Sequence, residues 1–190
     1  MTNRILTDRI ESPIGELLAG ATSGGVCLLE FLGDTRAESQ LEAVWRALGA
    51  EEHAGAGADG ARAAAEHLAR LARELDGYFA GTLSRFETPL VMAGTPFQRR
   101  VWDALLAIPY GETRCYEDLA ITIGSEHGQR AVGHANGDNR IAIVIPCHRV
   151  VNKNGQLGGY GGGLWRKEFL LELEGGRPKS LIARPRGKAR

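Results

Sequence analysis

This 190-residue sequence lacks long hydrophobic runs, paired cysteines and net charge, and each absence excludes a class of protein. No stretch approaches the roughly 18 consecutive apolar residues of a membrane span. The N-terminal sequence MTNRILTDRI has no apolar core of a secretory signal, so we expect a cytoplasmic protein without a membrane partner. Cys27, Cys115 and Cys147 are too few and too widely spaced for a disulfide framework or a CxxC motif. The sequence therefore predicts neither a bound metal nor another cofactor.

Charge is balanced over the whole chain but not along it. Lysine plus arginine and aspartate plus glutamate both number 23. Residues 1–94 carry eight basic and fourteen acidic side chains, residues 95–175 carry nine of each, and residues 176–190 carry six basic side chains and no acidic one. We interpret the last segment as a basic, flexible tail that could touch a phosphate backbone, although a solvated chain end explains its composition equally well.

The first half of the chain has the pattern of strands followed by helices. Three short apolar runs over residues 4–31 are separated by turn signals, which predicts a small antiparallel meander. Helical patterning follows over 36–48 and 61–80, with an Ala/Gly-rich linker over 49–60. Residues 81–94 have an extended pattern and lead into the second half.

The second half is predicted to be mostly helical. The segment Thr95-Pro96-Phe97-Gln98 has the pattern of a capping box and starts a helix that ends near Ala107. Two short helices, over about 116–123 and 127–136, are joined by a glycine-containing turn, which is the helix-turn-helix arrangement. A last helix is predicted over 164–174.

Together these patterns predict an α/β protein of the α+β type. A small N-terminal antiparallel sheet with helices would occupy residues 1–94. A mostly helical, winged-helix-like domain containing the helix-turn-helix would occupy residues 95–175, and the tail would occupy residues 176–190.

The segment Ile145-Pro146-Cys147-His148-Arg149-Val150 places a thiol next to an imidazole inside an apolar run. A cysteine becomes nucleophilic as the thiolate, and a partner that takes up the proton lowers the pKa of the thiol. A glycine-dense loop over 155–163 lets backbone approach a ligand closely, and Glu174 closes the last helix. Packing or solvation explains each feature alone, but their combination indicates a Cys-His-Glu nucleophilic site.

Over about residues 95–175 the chain resembles the O6-alkylguanine-DNA alkyltransferases, a family of DNA repair proteins. The matching segments are, in order, TPFQRRVWDALLAIPYGET, YEDLA, RAVG, Asn139, IPCHRV, GGYGGG and KEFLLELEG. The first half is similar to the family only in length and in its strand-then-helix pattern. The resemblance implies a single-turnover reaction in which Cys147 takes the alkyl group from guanine O6 in DNA and keeps it as a thioether. O4-alkylthymine is a second possible substrate.

The resemblance implies catalytic roles for five residues. Cys147 would be the nucleophile, His148 would take its proton through a water, and Glu174 would orient the imidazole. Asn139 would brace the active-site turn. The hydroxyl of Tyr116 would donate a proton to the departing base.

The resemblance also implies how the partner, double-stranded DNA containing alkylated bases, is bound by a monomer. The second helix of the helix-turn-helix would enter the minor groove, where Arg130 replaces the flipped nucleotide and Ala131 and Gly133 keep the helix surface small. Tyr116 would lie beside the DNA as well as beside the base. The alkylguanine pocket would be lined by Tyr116, Ala142, Pro146, Val150, Tyr160 and Gly161.

Some positions depart from the family pattern. Many members have proline where this chain has Arg140 and Ala142, and the smaller wall residue at 142 would alter tolerance for bulky adducts. Gly161 stands where some members have serine, although its backbone N–H can still bond the guanine oxygen. Some relatives hold a structural zinc in the first half, but Cys27 is the only cysteine there and no zinc is expected. We interpret Cys27 and Cys115 as structural.

Two other functions fit the same residues. A lesion sensor would bind alkylated DNA without repairing it, as alkyltransferase-like relatives do, although those relatives replace the nucleophile that Cys147 provides here. A helix-turn-helix transcription regulator would use Cys147 as a thiol sensor. Replacing Cys147 with alanine distinguishes the three functions.

Overall fold

A three-stranded antiparallel sheet forms the first part of the protein. The structure is a computed structural model, and it describes residues 4–33, 36–49 and 58–175. The strands β1 (Leu6–Ile10), β2 (Leu17–Thr22) and β3 (Gly25–Phe31) lie in the order β1-β2-β3. Apolar side chains of β2 and β3 are almost entirely buried, which confirms the predicted meander.

Two helices pack on this sheet: α1 (Arg36–Leu48) and α2 (Ala58–Phe79). The predicted linker over 49–60 is wrong at its end, because residues 58–60 are helical. Gly60 signalled a break, yet one glycine costs a helix only about 1 kcal/mol relative to alanine, and the long apolar face of α2 offsets that cost. The rest of the linker, residues 50–57, lies outside the described residues.

The second half consists mainly of helices, as predicted. The helix α3 (Pro96–Leu106) starts at a complete capping box, in which Thr95 Oγ1 accepts from Gln98 N and Gln98 Oε1 accepts from Thr95 N. The remaining elements are β4 (Arg114–Cys115), α4 (Tyr116–Thr122), α5 (Gln129–Gly137), a 3-10 turn (Cys147–Arg149), β5 (Val150–Val151) and α6 (Leu164–Leu173). The two short strands β4 and β5 pair in parallel.

The helices α4 and α5 form the predicted helix-turn-helix. The second helix starts at Gln129, two residues later than predicted, because the N–H of Gly128 closes a turn on the carbonyl of Ser125 at 2.7 Å. A Cβ at Gly128 would lie 2.2 Å from Ser125 Oγ and 2.9 Å from Ser125 O, so a larger residue would force this turn to shift.

The sheet and the second half share one hydrophobic core. Leu29 N donates to Arg140 O and Ala142 N donates to Leu29 O, both at 2.8 Å, so the segment before Cys147 pairs with the edge of β3. The main core cluster contains side chains from both halves, among them Leu71 and Trp102. The domain boundary at residue 94 stays a prediction, and the predicted tail, 176–190, lies outside the described residues.

The described residues contain neither a membrane-crossing helix nor a metal-binding cluster. No helix there is long and apolar enough to cross a membrane. Within the same residues, no group of three or more histidine, cysteine, aspartate and glutamate side chains is arranged to hold a metal ion.

Candidate active site

Cys147 begins the 3-10 turn and is 6% exposed. The apolar run before it, residues 141–145, is buried but folds as a series of turns, which lets the chain reverse within a few residues. Ile143 has φ +70°, a conformation that is strained for a β-branched residue. Such a turn needs support from its surroundings.

Asn139 provides that support. Its Oδ1 accepts from Ile141 N at 3.0 Å, and its Nδ2 donates to Ile145 O at 2.8 Å. The same Nδ2 donates to Cys147 Sγ at 3.1 Å. One buried amide therefore fixes the turn and places a donor on the sulfur, where it favours the thiolate.

Glu174 lies at the other end of the site, just after α6, and is 5% exposed. His148 Nε2 donates to its Oε1 at 2.9 Å, and Arg149 donates to both oxygens at 2.8 and 2.9 Å. Tyr78 Oη donates to Oε1 at 2.7 Å, and Gly111 N donates to Oε2 at 3.3 Å. The carboxylate is thus held by donors from three separate parts of the chain.

These contacts set the protonation states of the pair. Burial alone would raise the pKa of Glu174, but the hydrogen bonds from His148 and Arg149 outweigh it and lower that pKa to about 2. Burial lowers the pKa of His148, although Glu174 opposes the shift, so the imidazole is neutral. Because Nε2 donates to a carboxylate, Nδ1 carries the lone pair. Nδ1 is buried and has no hydrogen-bond partner among the described residues, so it can accept a proton.

Burial raises the pKa of Cys147, and the Asn139 hydrogen bond only partly offsets it. The sequence-based expectation of a lowered thiol pKa is therefore wrong for the unliganded protein. The reason is that desolvation of a fully enclosed sulfur exceeds what one amide donor returns. The thiol therefore keeps its proton as long as no ligand occupies the pocket.

Lys167 is a further charged group near the sulfur, and sequence reasoning missed it as a separate feature. The side chain is fully buried, and Nζ donates to Val150 O at 2.6 Å and to Gly158 O at 3.2 Å. Burial lowers its pKa to about 8, so at pH 7 it is a cation that favours the Cys147 thiolate. The sequence did contain a sign of this burial: Lys167 lies three and four residues before the apolar Leu170 and Leu171, on the same face of α6.

An open groove of about 420 Å³ runs along α5 toward the glycine loop. It continues into a small pocket of about 20 Å³ at Cys147. Of the predicted site residues, Tyr116, Arg130 and Gly133 line the groove, Ala142 lines the pocket, and Tyr160 and Gly161 line both.

Three other predicted residues lie elsewhere. Ala131 is exposed on α5 without lining the groove. Pro146 lines a separate cavity of about 650 Å³, together with Tyr110 and Arg149. Val150 is completely buried. Their roles in recognition stay predictions.

Arg36, the first residue of α1, crosses the junction of groove and pocket. Its Nε donates to Glu30 Oε2 at 2.9 Å, and its Nη2 donates to Gly137 O at 2.6 Å. A Cβ at Gly161 would lie 2.6 Å from the guanidinium, so any side chain at this position would require Arg36 to move. Sequence reasoning missed Arg36 because the pocket wall it forms comes from the other half of the chain.

The fold and the site define a class: a helix-turn-helix protein whose groove ends at a buried, proton-bearing cysteine beside a neutral histidine. Such a site can transfer a group to sulfur if a ligand brings an electrophilic carbon into the pocket.

Comparisons with known proteins agree with this class. Residues 96–176 match the family model described as 6-O-methylguanine DNA methyltransferase, DNA binding domain. A methylated-DNA–protein-cysteine methyltransferase from Methanosarcina barkeri is 45% identical over 168 residues, which is 88% of this chain and 95% of that protein. The crystal structure of the O6-methylguanine methyltransferase of Mycobacterium tuberculosis is similar, with 40% identity, a TM-score of 0.69 and coverage of 95% and 96% of the two chains. A structure of the M. tuberculosis protein with DNA is similar over 92% of each chain, again with a TM-score of 0.69. The chain belongs to the methylated-DNA–protein-cysteine methyltransferase family.

Proposed function

We propose that this protein repairs DNA by moving the alkyl group of O6-alkylguanine irreversibly onto Cys147. The observation that carries the proposal is the position of Cys147 at the end of the α5 groove, held by Asn139 and followed by the His148–Glu174 pair. Relatives named methylated-DNA–protein-cysteine methyltransferase support the same reaction. A lesion sensor that only binds alkylated DNA needs no nucleophile or proton acceptor at the end of the groove.

In the proposed reaction the thiol loses its proton as the lesion enters. The proton passes to His148 Nδ1 through a water, and Glu174 stabilises the imidazolium that forms. The sulfur then attacks the alkyl carbon, so that an S–C bond forms as the C–O6 bond breaks. Tyr116 donates a proton to the departing base, and the His148 imidazolium then returns its proton through water to the Tyr116 phenolate. In the net reaction the thiol proton is replaced by the alkyl group on sulfur, and guanine gains one proton.

Tyr116 is suited to this part. It begins α4, and a Cβ at Gly158 would lie 3.1 Å from its hydroxyl, so the ring packs against the glycine loop. Burial, and then the nearby Cys147, raise the pKa of Tyr116, which keeps the hydroxyl protonated and able to donate. Its negative phenolate form would be unfavourable beside a thiolate.

We also propose that α5 binds the minor groove of a duplex with an alkylated base, as a monomer in the cytoplasm. Arg130 is exposed at the start of this helix and lines the groove, so it can fill the space left by a flipped nucleotide. Exposed Ala131 and half-buried Gly133 allow close approach of the backbone. Residues 95–175 would form the transferring domain and 1–94 its support.

The experiment that tests the reaction is mass spectrometry after mixing the protein with a duplex carrying one O6-methylguanine. We expect one methyl group per protein, on the peptide containing Cys147, and restored guanine in the DNA. Cys147→Ala should bind the same duplex and gain no mass. A wild-type protein that binds the lesion and stays unmodified would contradict the proposal and favour a lesion sensor.

A second experiment tests Arg130 separately from the chemistry. Arg130→Ala should slow transfer from duplex DNA but leave reaction with free O6-benzylguanine unchanged, because the free base needs no extrusion. Arg62→Ala, which removes an exposed arginine on α2, should change neither rate. An equal loss on both substrates would reject the role of Arg130 in extrusion.

A further inference from the structure

One buried tyrosine from the first half of the chain reaches the catalytic cluster of the second half. Tyr78 lies in the last turn of α2 and is completely buried, and its Oη donates to Glu174 Oε1 at 2.7 Å. That length is typical of a hydroxyl bonded to a carboxylate, and such a charge-assisted bond is roughly twice as strong as a bond between neutral groups. The steps of the proposed reaction leave this hydroxyl without a part.

The ring of Tyr78 is held by other aromatic rings. Phe79 and Phe86 lie with their ring centroids 5.4 Å from that of Tyr78, and Tyr110 lies edge to face at 6.1 Å. A backbone carbonyl is enough to satisfy a tyrosine hydroxyl in this cluster, since Tyr110 Oη donates to Leu173 O at 3.2 Å. Tyr78 instead donates to a charged side chain.

The oxygen that Tyr78 binds is also the one that holds the histidine. Glu174 Oε1 accepts from Tyr78 Oη at 2.7 Å and from His148 Nε2 and Arg149 Nη2, both at 2.9 Å. A carboxylate offers about two lone pairs on each oxygen, so three donors share the negative charge of Oε1. Arg149 already supplies a compensating positive charge. Tyr78 therefore adds a donor without adding a charge, on the same oxygen that the imidazole binds.

A neutral donor at this place affects how strongly Glu174 attracts the imidazole protons. Charge that Oε1 shares with Tyr78 is less available to favour the imidazolium, so the imidazole stays neutral more easily. The bond also fixes Oε1, which in turn orients the ring of His148. We propose that Tyr78 is a positioning residue, which acts through Glu174 to keep His148 oriented and able to accept the thiol proton. This inference rests on the proposed function.

The charged groups around the imidazole leave His148 as the one among them that titrates in weak acid. Burial lowers the pKa of His148, Glu174 raises it, and Arg149 and Lys167 lower it further. Glu174 has a pKa of about 2 and Lys167 a pKa of about 8, so both are charged at pH 4.5 and remain mostly charged up to pH 7. Arg149 is a guanidinium and is charged throughout.

The neutral titratable groups of the cluster keep their protons over the same range. Burial, and then the charge of Glu174, raise the pKa of Tyr78 and of Tyr110. Burial, and then the nearby Cys147, raise the pKa of Tyr160, and burial raises the pKa of Cys147 itself. A change in transfer rate between pH 4.5 and 7 that depends on Tyr78 therefore reports on His148.

The test measures the pH dependence of transfer, which a purely structural bond would not move. Single-turnover rate constants with a duplex carrying one O6-methylguanine would be measured from pH 4.5 to 7. Transfer should fall in acid as His148 becomes protonated. Tyr78→Phe keeps the ring and removes the hydroxyl, so we expect the midpoint of this fall to move up by about one pH unit. Below both midpoints the variant should be slowed about tenfold more than at pH 7.

Tyr110→Phe is the matched control, because it removes a hydroxyl from the same aromatic cluster that binds Leu173 O and not the carboxylate. It should keep the wild-type midpoint. Nitrogen NMR shifts of the His148 ring, identified by their absence from His148→Gln, give the same midpoint without any transfer. A single-turnover rate constant does not depend on how much of the protein is folded, so partial unfolding does not imitate the shift.

Three results would overturn the role of Tyr78: equal slowing of Tyr78→Phe at every pH, unchanged rates at every pH, or an equal shift in Tyr110→Phe. Wild-type protein that transfers no methyl group at any pH would instead overturn the proposed function. The NMR midpoints would then still show whether Tyr78 acts on His148, so the two failures are distinguishable.

Discussion

The two ends of the active site differ in how completely their polar groups are bonded. Glu174 accepts five hydrogen bonds from the described residues, including two from Arg149. Cys147 accepts one, from Asn139, among the same residues. The nearby Nδ1 of His148 and Oδ1 of Asn136 accept none there.

The difference separates stability from chemistry. Both oxygens of the buried Glu174 carboxylate are hydrogen-bonded, so the carboxylate cannot move easily and holds the His148 imidazole in one orientation and one tautomer. An enclosed thiol with few partners is held in its neutral form and is ready to change when a ligand fills the pocket. Mutations at the Glu174 end should therefore reduce folding stability, whereas mutations at the Cys147 end should mainly reduce transfer.

The largest effect is expected for Glu174→Ala. It leaves the guanidinium of Arg149, which is 7% exposed, without its carboxylate. We expect the free energy of unfolding, measured with urea, to fall by about 3–5 kcal/mol, and transfer to be lost. Glu66→Ala, which removes an exposed glutamate on α2, should change stability by only about 0.5 kcal/mol. A loss under about 1 kcal/mol for Glu174→Ala would contradict the prediction that the hydrogen bonds of Glu174 stabilise the folded protein.

Asn139→Ala tests the donor to the sulfur. It removes the bonds to the turn and the contact with Cys147 Sγ, so we expect transfer to slow by about 100-fold, or 2.7 kcal/mol, with a smaller loss of stability. Single-turnover rates with a lesion-bearing duplex measure the first effect and urea unfolding the second. Asn154→Ala in the exposed loop should leave both values at wild type. Unchanged transfer in Asn139→Ala would show that the sulfur needs no amide donor.

Lys167→Met removes the buried cation near the sulfur. We expect transfer at pH 7 to slow about tenfold while stability stays within about 1 kcal/mol, because burial of the charge already opposes folding. Folding lowers the pKa of Lys167 from 10.5 to about 8, so the wild-type free energy of unfolding should gain a contribution as pH rises from 8 to 10.5. That contribution should be absent from Lys167→Met and present in Lys153→Met, which alters an exposed lysine. Equal pH profiles for wild type and Lys167→Met would contradict this assignment.

The smallest effect near neutral pH is the acid dependence of stability. Folding lowers the pKa of His148, so the unfolded chain binds more protons and stability falls as pH drops below 6.5, by at most about 1.4 kcal/mol per pH unit. Glu174 adds a second loss between pH 4.5 and about 2, where its carboxylate is protonated first in the unfolded chain. Urea unfolding at pH 7, 6 and 5 checks the first window. His148→Gln should remove that slope and Cys147→Ala should keep it; a slope that survives in His148→Gln would assign it to other groups.

Local patterns allowed much of the fold to be predicted. The capping box at Thr95 and Gln98, the meander and the helix-turn-helix depend on contacts within a few residues, and each was confirmed. The errors were at boundaries, as at Gly60 and Gly128, where glycine is a weak signal because it fits both a helix and a turn.

The site was predictable in part for the same reason. Cys147 and His148 are adjacent in the chain, and Glu174 ends a helix whose pattern is clear. Tyr78, however, reaches Glu174 across 96 residues, and Arg36 reaches Gly137 across 101. No sequence period reports such contacts, since they arise only when separate elements pack together.

By itself, the sequence determined the elements, their order and the set of reactive side chains, because these follow from short-range sterics, hydrophobic spacing and residue chemistry. Only the tertiary structure decided how those side chains are charged and what remains unbonded around them. The pKa of Cys147 is raised and that of Glu174 is lowered, although both are buried. The physical reason is that desolvation acts on both groups, and the number of hydrogen-bond donors that distant parts of the chain bring to each decides which way the balance falls.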